Sequence, residues 1–152
     1  MDSLQIIRIV SVLIAISMAG CAATGSGAAA LKRLDSIGAC QEGDGTVWSY
    51  ISSAPVQSRQ QAAAFVARLN SEHYLGHGDW RLPVAADLDR LHGYQDRKQS
   101  GDCEVEDQIF LFVADESRPL RYQAGLVGCG MDSQKEVNHT GSGYVRAIRG
   151  PR

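Results

Sequence analysis

The most regular apolar pattern in the chain lies between Ser58 and Asn70. Ala62, Phe65, Val66 and Leu69 recur at i, i+3, i+4 and i+7, one buried stripe on a helix of about three turns. Ser58 stands where an N-cap belongs and Gln61 completes a capping box, so the helix is predicted to open at Ser58 and stop near Asn70. A second helix is predicted to start at Pro83, whose missing N–H costs nothing in a first turn. Asp87 falls in that turn, where the helix dipole favours an anion; Val84, Leu88 and Leu91 mark the buried side, and the pattern fades by Gly93 or Tyr94. Strand signals lie on either side. Thr46 to Ile51 is rich in β-branched and aromatic residues, and Ile109 to Val113 is a continuous apolar run of strand length. Leu120, Tyr122, Ala124 and Leu126 alternate as a half-buried strand does, residues 128–143 read as loop, and Tyr144 to Ile148 forms a last strand. Helices early and strands late predict an α+β fold rather than a regular βαβ array.

A different pattern opens the chain. Ile9 to Ala19 is an apolar run broken only by Ser11 and Ser17, with Arg8 before it. Such a run spans about 16 Å as a helix, roughly half the hydrocarbon core, so it reads as the apolar region of an export signal. Met18-Ala19-Gly20-Cys21 resembles the bacterial lipobox. That resemblance implies cleavage before Cys21 and acyl chains on its thiol, which then tie the protein to the membrane; several chains anchor stably where one does so only marginally. Ala22 after the cysteine, in place of Asp, resembles an outer-membrane sorting signal. A plain secretory signal cut elsewhere, with Cys21 an ordinary cysteine, is the alternative. The expected organisation is a signal peptide at 1–20, a flexible Gly/Ser/Ala-rich tether at 21–38 and one domain at 39–152.

Composition narrows the function classes. The chain has 152 residues, with 15 Lys+Arg against 17 Asp+Glu and a formal net charge of −2, so no basic face for nucleic acid is expected. At 44% hydrophobic and 21% charged it lies in the globular range, and with only 7% aromatics its core must be mostly aliphatic. The cysteines are Cys21, Cys40, Cys103 and Cys129. With Cys21 lipidated, three remain for an oxidising compartment, which allows one disulfide and one free thiol. Of the three pairings Cys103–Cys129 is favoured, because both flank the apolar segment 109–126; three free thiols is the alternative.

Two segments together resemble the Lcl C-terminal domain family, a bacterial family of poorly defined function. They are Trp80-Arg81-Leu82-Pro83-Val84-Ala85-Ala86-Asp87-Leu88, similar to the family's W-R-L-P-T-x-x-E-L, and Val145-Arg146-Ala147-Ile148-Arg149, similar to its V-R-C-V-R strand. The helix at 58–70 and the Gly76–Asp79 loop look like the family's lead-in, so the likeness covers about residues 45–150. Val84 replaces the usual capping Thr, Ala147 replaces a frequent cysteine, and Phe110 to Ala114 departs from a W-S-S-T-like stretch. The resemblance implies a compact C-type-lectin-like domain with two helices and a twisted antiparallel sheet. Fold alone does not transmit function.

The chemistry-bearing residues offer few constellations. Trp80 is expected to pack beneath the second helix and Arg81 to pair with a nearby acid. Arg146 and Arg149 lie on opposite faces of the last strand, one buried against a carboxylate and one solvated. His73 and His77 have a metal-like spacing only on a helix, which Gly76 and Gly78 oppose; His92 and His139 have no evident partner. Asp102, Glu104, Glu106 and Asp107 are oxygen donors of a kind that calcium takes, but lack the spacing of an EF-hand, so a solvated acidic loop is the favoured reading and no cofactor is expected. No G-x-S-x-G and no Cys/His pairing marks a nucleophile, and Ala147 removes support for cysteine chemistry of the formylglycine-enzyme kind. The favoured function is a non-catalytic binding module at the envelope, for a glycan or another envelope protein. Trp48, Tyr94 and Tyr122 lead the candidate stacking faces, with Tyr50 and Tyr144 behind them. An enzyme built on the histidines and the acidic loop, or a purely structural lipoprotein, are the alternatives.

Overall fold

The computed structural model describes residues 31–95, Cys103, 109–127 and 130–151. The signal segment, Cys21 and its lipobox, Asp102, Glu104, Glu106, Asp107 and Cys129 lie outside the described residues. Six strands and two helices make up an α+β fold: β1 Lys32–Arg33, β2 Cys40–Gln41, β3 Val47–Ile51, α1 Arg59–Ser71, α2 Ala85–Gln95, β4 Leu120–Val127, β5 Gly130–Val137 and β6 Arg146–Arg149. Strands β1-β2-β3-β6 form one antiparallel sheet in that order, and β4 and β5 form a separate hairpin. Leu31 is buried and β1 pairs with β2, so the folded part already includes residues expected in the tether.

Helix α1 forms as its pattern predicts. Ser58 caps it by accepting from the Gln61 amide, and Ala62, Phe65, Val66 and Leu69 are its buried residues. Gln61 reaches one residue further back than a capping box requires, its side-chain oxygen accepting from the Gln57 amide. Helix α2 lacks the capping hydroxyl that a Thr at 84 supplies. Asp87 accepts the Val84 amide instead, and Asp115 comes from a distant loop to accept the Ala85 amide at 2.9 Å.

The sheet is buried on both faces. Successive residues of a strand point to opposite sides. Val47, Val145 and Ala147 pack with α1, Trp80 and Phe112, whereas Trp48 and Ile148 pack with Leu88 and Leu91 of α2. That two-sided burial explains why β3 shows no strict apolar–polar alternation. Trp80 is correspondingly buried, but among the side chains of α1 rather than beneath α2. The Arg81 backbone pairs with Ile148 on the free side of β6, and this turns Trp80 and Leu82 toward α1.

Two expected elements differ. Ile109 to Val113 forms no sheet strand; it makes single bridges, from Leu111 to Leu120 on one side and to Tyr144 on the other. Its apolar run is explained by burial of Leu111, Phe112 and Val113 between the two core clusters. Residues 130–137, expected in a loop, form β5, whose polar sequence carries no apolar alternation to announce it and which is held by eight residue pairs with β4. Gly143 sits where these segments cross, since a Cβ there would lie 2.6 Å from Pro119 and 2.8 Å from the Phe110 carbonyl.

The disulfide is also corrected. Cys103 bonds to Cys40, with Cα atoms 6.1 Å apart, and not to Cys129. Cys40 lies on β2 inside the α2-side core, where Cys103 is buried beside it.

Candidate functional site

A β-bulge creates the most distinctive local chemistry. Trp48 pairs with Ile148 and Ile51 with Arg146, so Ser49 and Tyr50 together oppose Ala147. The regular ladder is broken there, and side chains complete it. Ser49 Oγ accepts the Ala147 amide at 2.8 Å, and Ser52 Oγ accepts the Val145 amide at 3.0 Å. Arg146, only 1% exposed, donates from Nε to the Ser49 carbonyl and from its terminal nitrogen to the Gly38 carbonyl. Its guanidinium also lies 6.0 Å from the Trp48 ring. The partners of this buried arginine thus include two backbone carbonyls and an aromatic ring.

Gly38 belongs to a tightly built turn. Asp35 Oδ1 accepts the amides of Ile37, Gly38 and Ala39, and the other carboxylate oxygen accepts from the Tyr74 hydroxyl. Partial burial opposes the charge of Asp35, yet the Tyr74 hydroxyl and the three amides outweigh it and hold the carboxyl below its usual range. Burial and the neighbouring Asp35 push the Tyr74 hydroxyl well above the ordinary tyrosine value. Gly38 has φ of 108°, a left-handed conformation that needs glycine. The turn holds Ile37 out in solvent at 59% exposure.

Ile37 stands at the lip of two adjoining hollows. The larger, about 570 Å³, runs along Tyr50, residues 51–56, Phe65 and Arg68. The smaller, about 330 Å³, is walled by Ser52, Ser53, Tyr144 and Arg146. Ile37, Ile51, Ser52 and Ser53 line both, so the hollows form one groove with an apolar arm and a polar arm. Arg68 donates to the Tyr50 hydroxyl at the rim.

Of the residues expected to bind ligand, Trp48 and Tyr122 do not line this groove. Trp48 is fully buried in the α2-side core and its indole nitrogen donates to Glu42, so it offers no stacking face. Tyr122 is half-buried against the same core on β4, and Tyr144 packs beside it while also lining the polar arm. Tyr94 lies in α2, and its side chain is outside the described residues. His73 adopts φ of 47° and a short turn at Tyr74–Gly76 separates it from His77, so the two do not share a helix. His92 is buried on α2. Among the described residues, no three His, Cys, Asp or Glu side chains are placed to hold a metal ion.

Arg81 does pair with an acid. Its guanidinium meets Asp87 at 2.8 Å; Asp87 meets Arg90 at 3.3 Å, and Arg90 meets the buried Glu42 at 2.9 Å. This alternating chain of charges ties the Trp80–Pro83 segment to α2 and β2. Arg149 pairs with Asp79 at 2.8 Å and so closes the other end of the same segment. Of the two arginines of the last strand, Arg146 is the buried one, with backbone carbonyls among its partners, and Arg149 meets the exposed carboxylate of Asp79.

The chain matches no family model, no curated protein and no solved structure. No helix of the described residues is long and apolar enough to cross a membrane.

Sequence reasoning named Tyr50 and Tyr144 but missed Ile37, Ser52, Val56 and Phe65 as neighbours of one groove. The local signal was Asp35-Ser36-Ile37-Gly38, in which Asp and Gly are typical turn residues. Nothing local placed that turn beside residues 50–56.

Proposed function

We propose that the protein is an envelope lipoprotein, held in the bacterial outer membrane through acyl chains on Cys21, whose folded domain is a non-catalytic binding module. The observation that carries the binding reading is the groove beside Ile37, an exposed aliphatic side chain on a turn that four hydrogen bonds to Asp35 hold in place. A concave hollow of this size, with an apolar wall and a few polar groups, is the form that binding sites take.

Of the two ligand classes, a protein segment fits better than a glycan. A sugar ring stacks on an open aromatic face. Trp48 is buried, and Tyr50 meets Phe65 and Tyr74 edge to face at 75° and 89°. The apolar arm at Val56, Pro55 and Phe65, together with Ile37, suits an aliphatic side chain from an envelope protein. We further propose that the domain belongs with the Lcl C-terminal family and its C-type-lectin-like fold. The two segments that carry that likeness are neighbours here, since the Arg81 amide donates to the Ile148 carbonyl and the Ile148 amide donates back.

Site-directed photocrosslinking in cells tests the binding reading. A photoreactive residue at position 37 is expected to give one discrete protein adduct, absent when the probe is moved to position 89 on α2 and lost on adding Val56→Asp. Glycan-array binding that Val56→Asp abolishes would instead assign the groove to a sugar. Absence of both signals would remove the binding module reading.

A further inference from the structure

The turn that follows β5 carries an unassigned motif, Glu136-Val137-Asn138-His139-Thr140. Asn-x-Thr is the acceptor pattern for N-linked glycans, and an acid two residues before the asparagine is the added requirement of the bacterial type of transferase. Exposure and geometry matter more than the letters. His139 and Thr140 are exposed, and Asn138 is half-buried at the end of the strand. Asn138 Oδ1 accepts both the Thr140 amide at 3.0 Å and the Thr140 hydroxyl at 2.7 Å. The carboxamide and the hydroxyl that define the motif are thus already together in an Asx turn. The Gly141 amide returns to the Asn138 carbonyl, and Gly141 has φ of 76°, which closes the turn and lets it project from the hairpin.

We infer that Asn138 is an acceptor for an oligosaccharide delivered from a polyprenyl-pyrophosphate donor by an acid-requiring oligosaccharyltransferase. Transfer forms a bond from Asn138 Nδ2 to the anomeric carbon and breaks that carbon's bond to the pyrophosphate oxygen. One amide proton leaves, and polyprenyl pyrophosphate is the leaving group. In the resting turn Nδ2 donates to the Ser142 carbonyl, a part-buried bond that the enzyme must open. Glu136 lies in an ion pair with Arg121 at 2.6 Å, with 45% of its side chain exposed, so the acid is also within reach of a docking enzyme. The acceptor step takes place outside the cytoplasm, and so in cells it rests on export by the segment at 1–20.

The test has two arms. The full-length chain is co-expressed with such a transferase and its lipid-linked oligosaccharide, and the purified folded protein is treated with the same enzyme and donor in vitro. Glycopeptide mass spectrometry is expected to find one glycan on Asn138 in both arms. Asn138→Gln and Thr140→Ala abolish it, and Thr140→Ser retains it. Glu136→Gln, which leaves Asn-x-Thr intact, also abolishes it; retained transfer in that variant overturns the acid-requiring assignment. Modification in vitro but not in cells supports the acceptor site and refutes export. An unmodified Asn138 in both arms overturns the proposal.

Discussion

Arg146 donates to the carbonyl of Ser49 at 2.9 Å, across the bulge that Ser49 itself helps to form. The extra residue in β3 breaks the regular exchange of backbone bonds with β6, and buried backbone groups must find other partners. Ser49 meets this twice, with its hydroxyl for the Ala147 amide and its carbonyl for Arg146. The guanidinium reaches on to Gly38, so one side chain ties the sheet to the turn that presents Ile37.

Removing that side chain is expected to destabilise the domain severely. Hydrogen bonds involving a charged group contribute about 1.5–3 kcal/mol each, so losing the two to Ser49 and Gly38 in Arg146→Met should cost about 3–6 kcal/mol. Urea unfolding reads the change as a lowered midpoint. Arg146→Lys, with a point charge in place of a planar fork, should recover only part of it. A wild-type midpoint in Arg146→Met would remove the account of the bulge.

Trp48→Ala and Trp80→Ala should be alike despite their different neighbours, because both rings are buried. Truncating a large aromatic in a core costs about 3–5 kcal/mol, against about 5–15 kcal/mol for a whole domain. Both variants should melt far below wild type or fail to accumulate. A Trp48→Ala domain that melts normally but loses ligand would return Trp48 to the binding surface.

Non-reducing peptide mapping should recover Cys40 linked to Cys103. The sequence separation is 63, and closing a loop of that size stabilises by about 4 kcal/mol on the chain-entropy account. Cys40→Ala and Cys103→Ala should therefore each lower the urea midpoint and make wild type's sensitivity to reductant disappear. A Cys103–Cys129 peptide would contradict the structure.

Acid should weaken the charge chain at Asp87. Burial opposes the charged form of this carboxyl, but the Arg81 bond, the Val84 amide and the charges of Arg81 and Arg90 outweigh it and lower its pKa from 3.8. A group whose folded pKa is depressed stabilises the fold above its unfolded pKa, and that contribution fades as pH falls through the folded value. The urea midpoint should therefore drop as pH falls below about 5, through the unfolded value and on toward the lower folded one, and less steeply in Asp87→Asn. Equal slopes for the two proteins would show that Asp87 carries none of the acid sensitivity.

The anchor is tested at Cys21. Cys21→Ser should abolish labelling by a clickable fatty acid and release the protein from the membrane fraction. Labelling that persists in this variant would assign the lipid elsewhere.

Helix α1 was legible in the sequence because every determinant is local: the Ser58 cap and a stripe of four apolar residues within two turns. The core of α2, β3, β4 and β6 followed from the same short-range periodicities; Arg81 was expected to pair with a nearby acid, and the fold supplies Asp87. What the tertiary structure decided were the long-range partners. Cys103 meets Cys40 and Arg149 meets Asp79 because tertiary packing lays segments outside the sheet against its strands, and no local pattern encodes those partners. Strand β5 is polar and exists through its partner β4, so periodicity could not reveal it. The bulge shifts register by one residue, which a strand's apolar pattern alone does not specify when both faces are buried. The groove beside Ile37 is likewise a product of long-range packing. Its residues come from a turn, a strand end, a loop, a helix and β6, and only folding makes them neighbours.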